Sequence, residues 1–193
     1  MVGEHKAAQR DHILSVALDL LRERGMATLT MSAVAKRAGI SRATLYHYFP
    51  DVDALLSAWV GREIEASVAA MVASAAGFAD PLERIEHLVA AQAAAFESQD
   101  HRLSAEHFES EAGSPSVRRE VAAKMAPLRR LLADTIAEAA EGGRLRTEVA
   151  PALSADLLLG MLGAARRHIV SGDLTAAEAV AAVMGLLRGG WFA

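Results

Sequence analysis

The sequence predicts an all-α fold: an N-terminal three-helix module, residues 1–51, followed by a larger helical body, residues 52–193. Alanine, leucine, arginine and glutamate dominate, β-branched runs are scarce, and no Asn-Gly hairpin signal occurs. Helix start signals recur along the second part of the chain. Near the N-terminus, two short amphipathic stretches are separated only by "GIS".

The first helix is expected over residues 8–24, with Ile13, Ala17, Leu20 and Leu21 on one stripe and Gly25 as its stop. A second runs from Thr30, an N-cap residue type, to Ala38. The third spans 42–49 and ends ahead of Pro50, which cannot continue a helix. Asp51 is placed to cap a long fourth helix over 52–76. "DPLE" sets Asp80 as a cap with Pro81 in the first helical position, and "SPSV" repeats the device at Ser114 and Pro115. "TAAE", Thr175 to Glu178, is a capping box that opens the last helix. Helices are therefore expected at 82–97, 101–112, 116–140, 152–170 and 176–188, with 141–151 as a loop. Pro127 falls inside the 116–140 segment and is expected to kink or break it.

Composition narrows the function classes. The chain has no cysteine, which removes disulfides, thiolate metal sites and cysteine nucleophiles and fits a reducing cytoplasm. The first residues, "MVGEHKAAQRDH", lack the apolar core of a secretory signal. Asp156, Arg166 and Arg167 interrupt the most apolar segment, so a soluble protein is expected. The net charge of −4 is unevenly spread: residues 1–60 hold seven Lys/Arg against six acids, and residues 61–193 hold thirteen against eighteen. A locally basic face on an acidic body is compatible with nucleic acid as a partner.

Helical wheels over residues 31–49 separate two faces. Met31, Val34, Ala35 and Ala38 share one arc of the second helix, with Lys36 and Arg37 opposite. On the third, Leu45, Tyr48 and Phe49 form the apolar arc, while Arg42, Ala43, Tyr46 and His47 form the other, with Thr44 at its margin. Gly39 can take the left-handed backbone of a tight turn, which makes the unit a helix-turn-helix. The outward chemistry suits DNA. Arg42 can reach a guanine edge or a phosphate, and Ala43 and the Thr44 methyl can touch a thymine methyl. Tyr46 and His47 can bond phosphate oxygens. Backbone N–H groups near Thr30 and Asp51 add anion sites.

With "ILSVALDLLRERG", "TLTMSAVAKRAGIS" and "RATLYHYFPDVDALL", residues 8–60 resemble the DNA-binding domain of the tetracycline-repressor (TetR) family of transcriptional regulators. The resemblance implies that the third helix enters the major groove and that Thr30, Arg42, Ala43, Thr44, Tyr46 and His47 contact DNA, with Lys36 as a further candidate. One position departs from the pattern: the family commonly has a lysine where Val52 stands here. Loss of that phosphate contact lowers the salt-dependent part of affinity, and Arg10 or Lys6 is the candidate replacement.

The resemblance also implies a homodimer that reads a palindromic double-stranded operator, since a two-fold pair of such motifs matches two half-sites about 34–36 Å apart. The final two helices are the expected interface, through Leu157, Met161, Leu162 and Ala165 on one and Val180, Val183, Met184 and Leu187 on the other. Gly160, Gly163, Ala164 and Gly185 would allow close approach. A small-molecule effector of unspecified identity is implied in the body, with Trp59, Met71, Phe96, Phe108 and Met125 as apolar lining, Phe78 beside them, and Gln92, His87, His107 or Arg102 as polar anchors. Such side chains at helical spacing are equally the material of a plain core. Effector binding would shift the fourth helix and release DNA, which describes a repressor.

Enzymatic readings find no support in the motifs. Three residues before His87, His101, His107 and His168 stand Arg84, Ser98, Ser104 and Ala165, so the Glu-x-x-His of a di-iron bundle is missing. HExxH, GxSxG and a P-loop are also missing, no cofactor or metal is implied, and Glu106, His107 and Glu109 read as a solvated face. The competing expectation is an all-helical adaptor that binds protein and no DNA.

Overall fold

A computed structural model describes residues 2–25, 28–103, 115–145 and 149–190. Its helices are α1 (Val2–Arg24), α2 (Met31–Arg37), α3 (Arg42–Tyr48), α4 (Val52–Ala75), α5 (Pro81–Phe96), α6 (described over 99–103), α7 (Pro115–Glu141), α8 (Pro151–Ser171) and α9 (Ala176–Gly190). No strand occurs among the described residues. The remainder of the expected 101–112 helix and the Ser114 cap lie outside them. α1 starts earlier than expected because the polar run from Glu4 to Asp11 contains no helix breaker.

The described residues divide into two compact units: those up to Glu63, with Leu103, form the first, and those of Ile64–Arg102 and from Pro115 onward form the second. The division falls inside α4, whereas the sequence places a boundary at 51/52. Leu55, Leu56, Trp59 and Val60 of α4 are buried and belong to the first unit, together with Ile13, Leu14, Ala17 and Leu21 of α1.

In the second unit α5 packs against α7, α8 and α9. Ile85, Leu88, Val89, Gln92, Ala93 and Phe96 are its buried stripe, at the 3–4 residue spacing of one helix face. Leu128, Leu132 and Ile136 of α7, Leu158 and Leu162 of α8, and Val183, Met184 and Leu187 of α9 complete that core.

Capping fixes where these helices begin. Asp80 Oδ1 accepts from Leu82 N at 2.8 Å and Glu83 N at 3.1 Å, and its other oxygen accepts from Arg144 at 2.9 Å. These donors hold the Asp80 carboxyl below its ordinary range. At α9 the capping box is complete: Glu178 N donates to Thr175 Oγ1 at 3.2 Å and Thr175 N donates to Glu178 Oε2 at 2.8 Å. Glu97 accepts from Ala176 N at 2.6 Å and ties the end of α5 to the start of α9.

Pro127 does not break α7, which runs through it. The carbonyl deprived of its partner by the proline ring is that of Ala123, and both residues are exposed, so water can take the bond.

Candidate DNA-recognition surface

The recognition unit is pinned by side chains at each joint. Thr30 Oγ1 accepts from Ala33 N at 3.1 Å and starts α2. Gly39 takes φ +67°, which a residue with a Cβ adopts only with strain, and Ile40 N returns to Ala35 O at 3.1 Å. Ser41 Oγ then accepts from Thr44 N at 3.0 Å and lies 2.8 Å from Thr44 Oγ1, so Ser41 is the N-cap of α3. Sequence reasoning placed Ser41 only in the turn; a serine directly ahead of the amphipathic run was the available signal. Phe49 ends α3, and Asp51 Oδ1 accepts from Ala54 N at 2.7 Å to begin α4.

α1 braces this arrangement. Arg37 forks onto Glu23, with Nη2 2.5 Å from Oε1 and Nη1 3.2 Å from Oε2, and this bond holds the Glu23 carboxyl below its ordinary range. Both side chains are exposed, so the pair fixes geometry more than it adds stability. His12 Nε2 sits 3.4 Å from Ala38 O at the end of α2.

With the helices held, the faces separate as the periodicity requires. Met31, Val34, Ala35, Leu45 and Phe49 are buried. Thr30, Lys36, Arg42, Ala43, Thr44, Tyr46 and His47 are all exposed. Tyr46 keeps 46% of its surface in solvent although its neighbour Leu45 keeps none. Tyr48 is half-buried, with its ring edge-on to His47 at 5.7 Å. The face thus offers a guanidinium, hydroxyls, an imidazole and small apolar groups, and leaves no large hydrophobe bare except the tyrosine ring. The start of α4 is a poorer anion site than expected, because the Asp51 carboxylate already occupies it. Beside it, Arg10 of α1 lies over the Phe49 ring, 5.5 Å from the centroid, with its side chain exposed.

Residues 13–59 match the family model for bacterial regulatory proteins of the tetR family. The helix-turn-helix and the helices that brace it are thus similar to the DNA-binding domain of that family. Over 75 residues it is 40% identical to the HTH-type transcriptional regulator Rv1255c of Mycobacterium tuberculosis, covering 39% of this chain and 37% of that protein, so the likeness spans little more than a third of the relative's own length. The HTH-type transcriptional regulator UidR of Escherichia coli is 25% identical over 187 residues, 94% of this chain and 91% of that protein. Among solved structures, Thermus thermophilus FadR, a TetR-family transcriptional repressor in complex with lauroyl-CoA, superposes with a TM-score of 0.73 at 23% identity, covering 94% of both chains. At that identity the likeness shows the fold.

The remaining expected site residues scatter. Trp59 is fully buried in the first unit, with its Nε1 donor lacking a partner, while Met71 and Phe96 are buried and Met125 half-buried in the second. Phe108 and His107 lie outside the described residues. His87 is committed to structure, stacked on Phe78 at 4.4 Å and bonded to Ser74 Oγ at 2.8 Å. Arg102 is exposed and donates to Glu97 O at 3.0 Å.

The expected interface set also divides. Leu162, Val183, Met184 and Leu187 are buried in the core of their own unit and have no surface to lend a partner. Periodicity marks an apolar face without saying which neighbour covers it. Leu157, Met161, Ala165 and Val180 keep surface, and Leu153 and Leu186, which keep 53% and 66%, extend the exposed apolar set. No helix among the described residues is long and apolar enough to cross a membrane.

Proposed function

We propose that this protein is a DNA-binding transcriptional repressor that acts as a homodimer on a palindromic operator and is released by a small-molecule effector. The observation that carries the reading is the division of α3: Leu45 and Phe49 hold the helix in place from beneath, while Arg42, Ala43, Thr44, Tyr46 and His47 stand free above it. Arg42 reads a base edge or grips phosphate from the first turn, Ala43 and Thr44 offer methyl contacts, and Tyr46, His47, Lys36 and the Thr30 hydroxyl anchor to phosphate oxygens. Thr30 accepts its capping bond through oxygen, so its O–H remains available to donate. Arg10, held over Phe49, takes the phosphate position that Val52 leaves vacant.

Dimerisation is supported by the outer face of α8 and α9. Leu153, Leu157 and Leu186 are exposed there, and a Cβ built on Gly160, Gly163 or Gly185 meets nothing within 4 Å. Such a face admits close approach by a second copy and buries apolar surface that a monomer would leave in water. Effector control rests on the fold shared with FadR, which holds lauroyl-CoA.

DNA fragments retained from a genomic pool by the full chain test the reading. Fragments sharing a palindrome are expected, together with their loss in Arg42→Ala. If Arg42→Ala protein retained the same fragments equally well, the helix-turn-helix would not be reading sequence, and the adaptor alternative would gain. Sedimentation tests the assembly: the parent should run as a dimer and Leu157→Glu/Leu186→Glu as a folded monomer.

A further inference from the structure

The second unit contains a polar group that its core does not satisfy. Gln92, on the core stripe of α5, keeps only 9% of its surface, and its Oε1 receives no hydrogen bond. Thr135, more deeply buried on α7, instead donates to Leu131 O at 2.8 Å. An amide oxygen shut away from water without a donor is costly, and native cores rarely keep one unless something else supplies the bond.

Its neighbourhood is specific. Phe96 sits one turn further along the same face of α5, and the His101 ring lies 4.9 Å from the Phe96 ring, tilted by 44°. Arg166 belongs to α8, which packs against α5, and its position continues the stripe of Leu162 and Ile169, which are both buried. The Arg166 side chain is half-buried and forms no ion pair among the described residues, unlike Arg84, Arg129, Arg144 and Arg188, which all reach acids. Burial, and then the nearby Arg166 charge, hold His101 down to about 4, so it is neutral at pH 7 and adds no second cation. A guanidinium on the core stripe of α8 thus belongs to the helix packed against α5, and α5 and the α6 residues that follow it carry the orphaned amide oxygen, the aromatic ring and the neutral imidazole, all within one unit.

We propose that the effector is a small organic acid, its carboxylate received by Arg166 and an attached hydroxyl or N–H donated to Gln92 Oε1, with its apolar part against Phe96. The inference rests on the effector-controlled reading above and names the ligand chemistry of that control. Carboxylate fits because the guanidinium fork matches it bidentately and a half-buried cation gains most from an anion. A hydrogen-bond donor on the same molecule satisfies the amide oxygen that no protein group reaches.

Thermal-shift and calorimetric titration of the full chain would test this with hydroxylated carboxylates, 4-hydroxybenzoate and 3-hydroxybutyrate among them, each beside its neutral amide. Acids should bind and their amides should not. Arg166→Gln should weaken the bound acid at least about tenfold, as for loss of a charged hydrogen bond, with Arg166→Lys intermediate. Gln92→Leu should reduce the preference for the hydroxylated acid over its deoxy analogue. Binding confined to neutral or cationic compounds, no binding by any acid of the panel, or unchanged acid affinity in Arg166→Gln would overturn the proposal; the last result would leave Arg166 as a side chain that merely covers apolar surface. Retention of DNA by the same samples separates the two readings. Acid binding without DNA binding would sink the regulator and keep the acid site, and DNA binding without acid binding would do the reverse.

Discussion

On α3 every expected polar contact faces solvent and the apolar residues lie beneath, whereas the second unit places Gln92 in its core and leaves Leu153, Leu157 and Leu186 bare. The recognition helix is an amphipathic helix in the simple sense, its outward face free for a large flat polyanion. The body violates that pattern twice, once inside and once outside. On the proposed reading, each violation is a place for a molecule other than this protomer: a hydrogen-bond donor within, a second apolar surface without. The candidate DNA contacts thus obey amphipathic patterning, and the candidate ligand and partner contacts of the body break it.

The sharpest way to break that contrast is a pair of neighbouring changes on α3. Leu45→Ala removes a side chain with no exposed surface and should cost about 2–5 kcal/mol of stability, as buried leucines do, measured by denaturant unfolding. Tyr46→Ala, one residue on, should leave stability within about 0.5 kcal/mol, as surface changes do, yet weaken operator binding. If Tyr46→Ala destabilised the protein as much as Leu45→Ala, the two faces of α3 would not be functionally distinct, and the DNA assignment would fail with them.

Arg10→Ala probes a smaller effect at the edge of the same unit. If Arg10 grips a phosphate, the change should weaken binding uniformly across operator sequences and reduce the slope of log affinity against log salt by about 0.9 per half-site. Removal of its stacking on the buried Phe49 should cost at most about 1 kcal/mol, as for an exposed cation–π pair. An unchanged salt slope would leave the Val52 position without a substitute.

The difference between the units also explains how much was legible in the sequence. Helix boundaries, the caps at Thr30, Asp51, Asp80 and Thr175, and the exposed face of α3 come from local chemistry, because a cap or a wheel needs only residues three or four apart. The interface and pocket sets depend on which helix lies against which. Leu162 and Leu157 sit on the same apolar helix, but only the packing of α5 and α7 against α8 buries the first and leaves the second exposed. The influence of the Arg166 charge on His101 is hidden for the same reason: they are 65 positions apart, and nothing local in either segment points to the other. Pro127 misleads differently, since its rule is local but its consequence depends on whether water reaches the freed carbonyl.

The smallest effect expected concerns the inward polar cluster itself. His101 titrates near 4 when folded, against an ordinary value of 6.5. Above pH 6.5 the folded and unfolded chains both carry it neutral, and it contributes nothing. As pH falls from 6.5 towards 4, the unfolded chain gains a proton that the folded one refuses, so stability declines through that window and levels off below it. Burial is the larger cause of the shift and the Arg166 charge the smaller. Arg166→Gln should therefore raise the His101 titration point only part of the way towards 6.5, and make the acid-side loss of stability shallower. Ring-proton NMR of His101 measures the first, and unfolding midpoints at pH 7 and pH 5 measure the second. A titration point left unmoved by Arg166→Gln would mean that the guanidinium charge spends itself in solvent, and the contrast between an outward-facing recognition helix and an inward-facing polar cluster would rest on Gln92 alone.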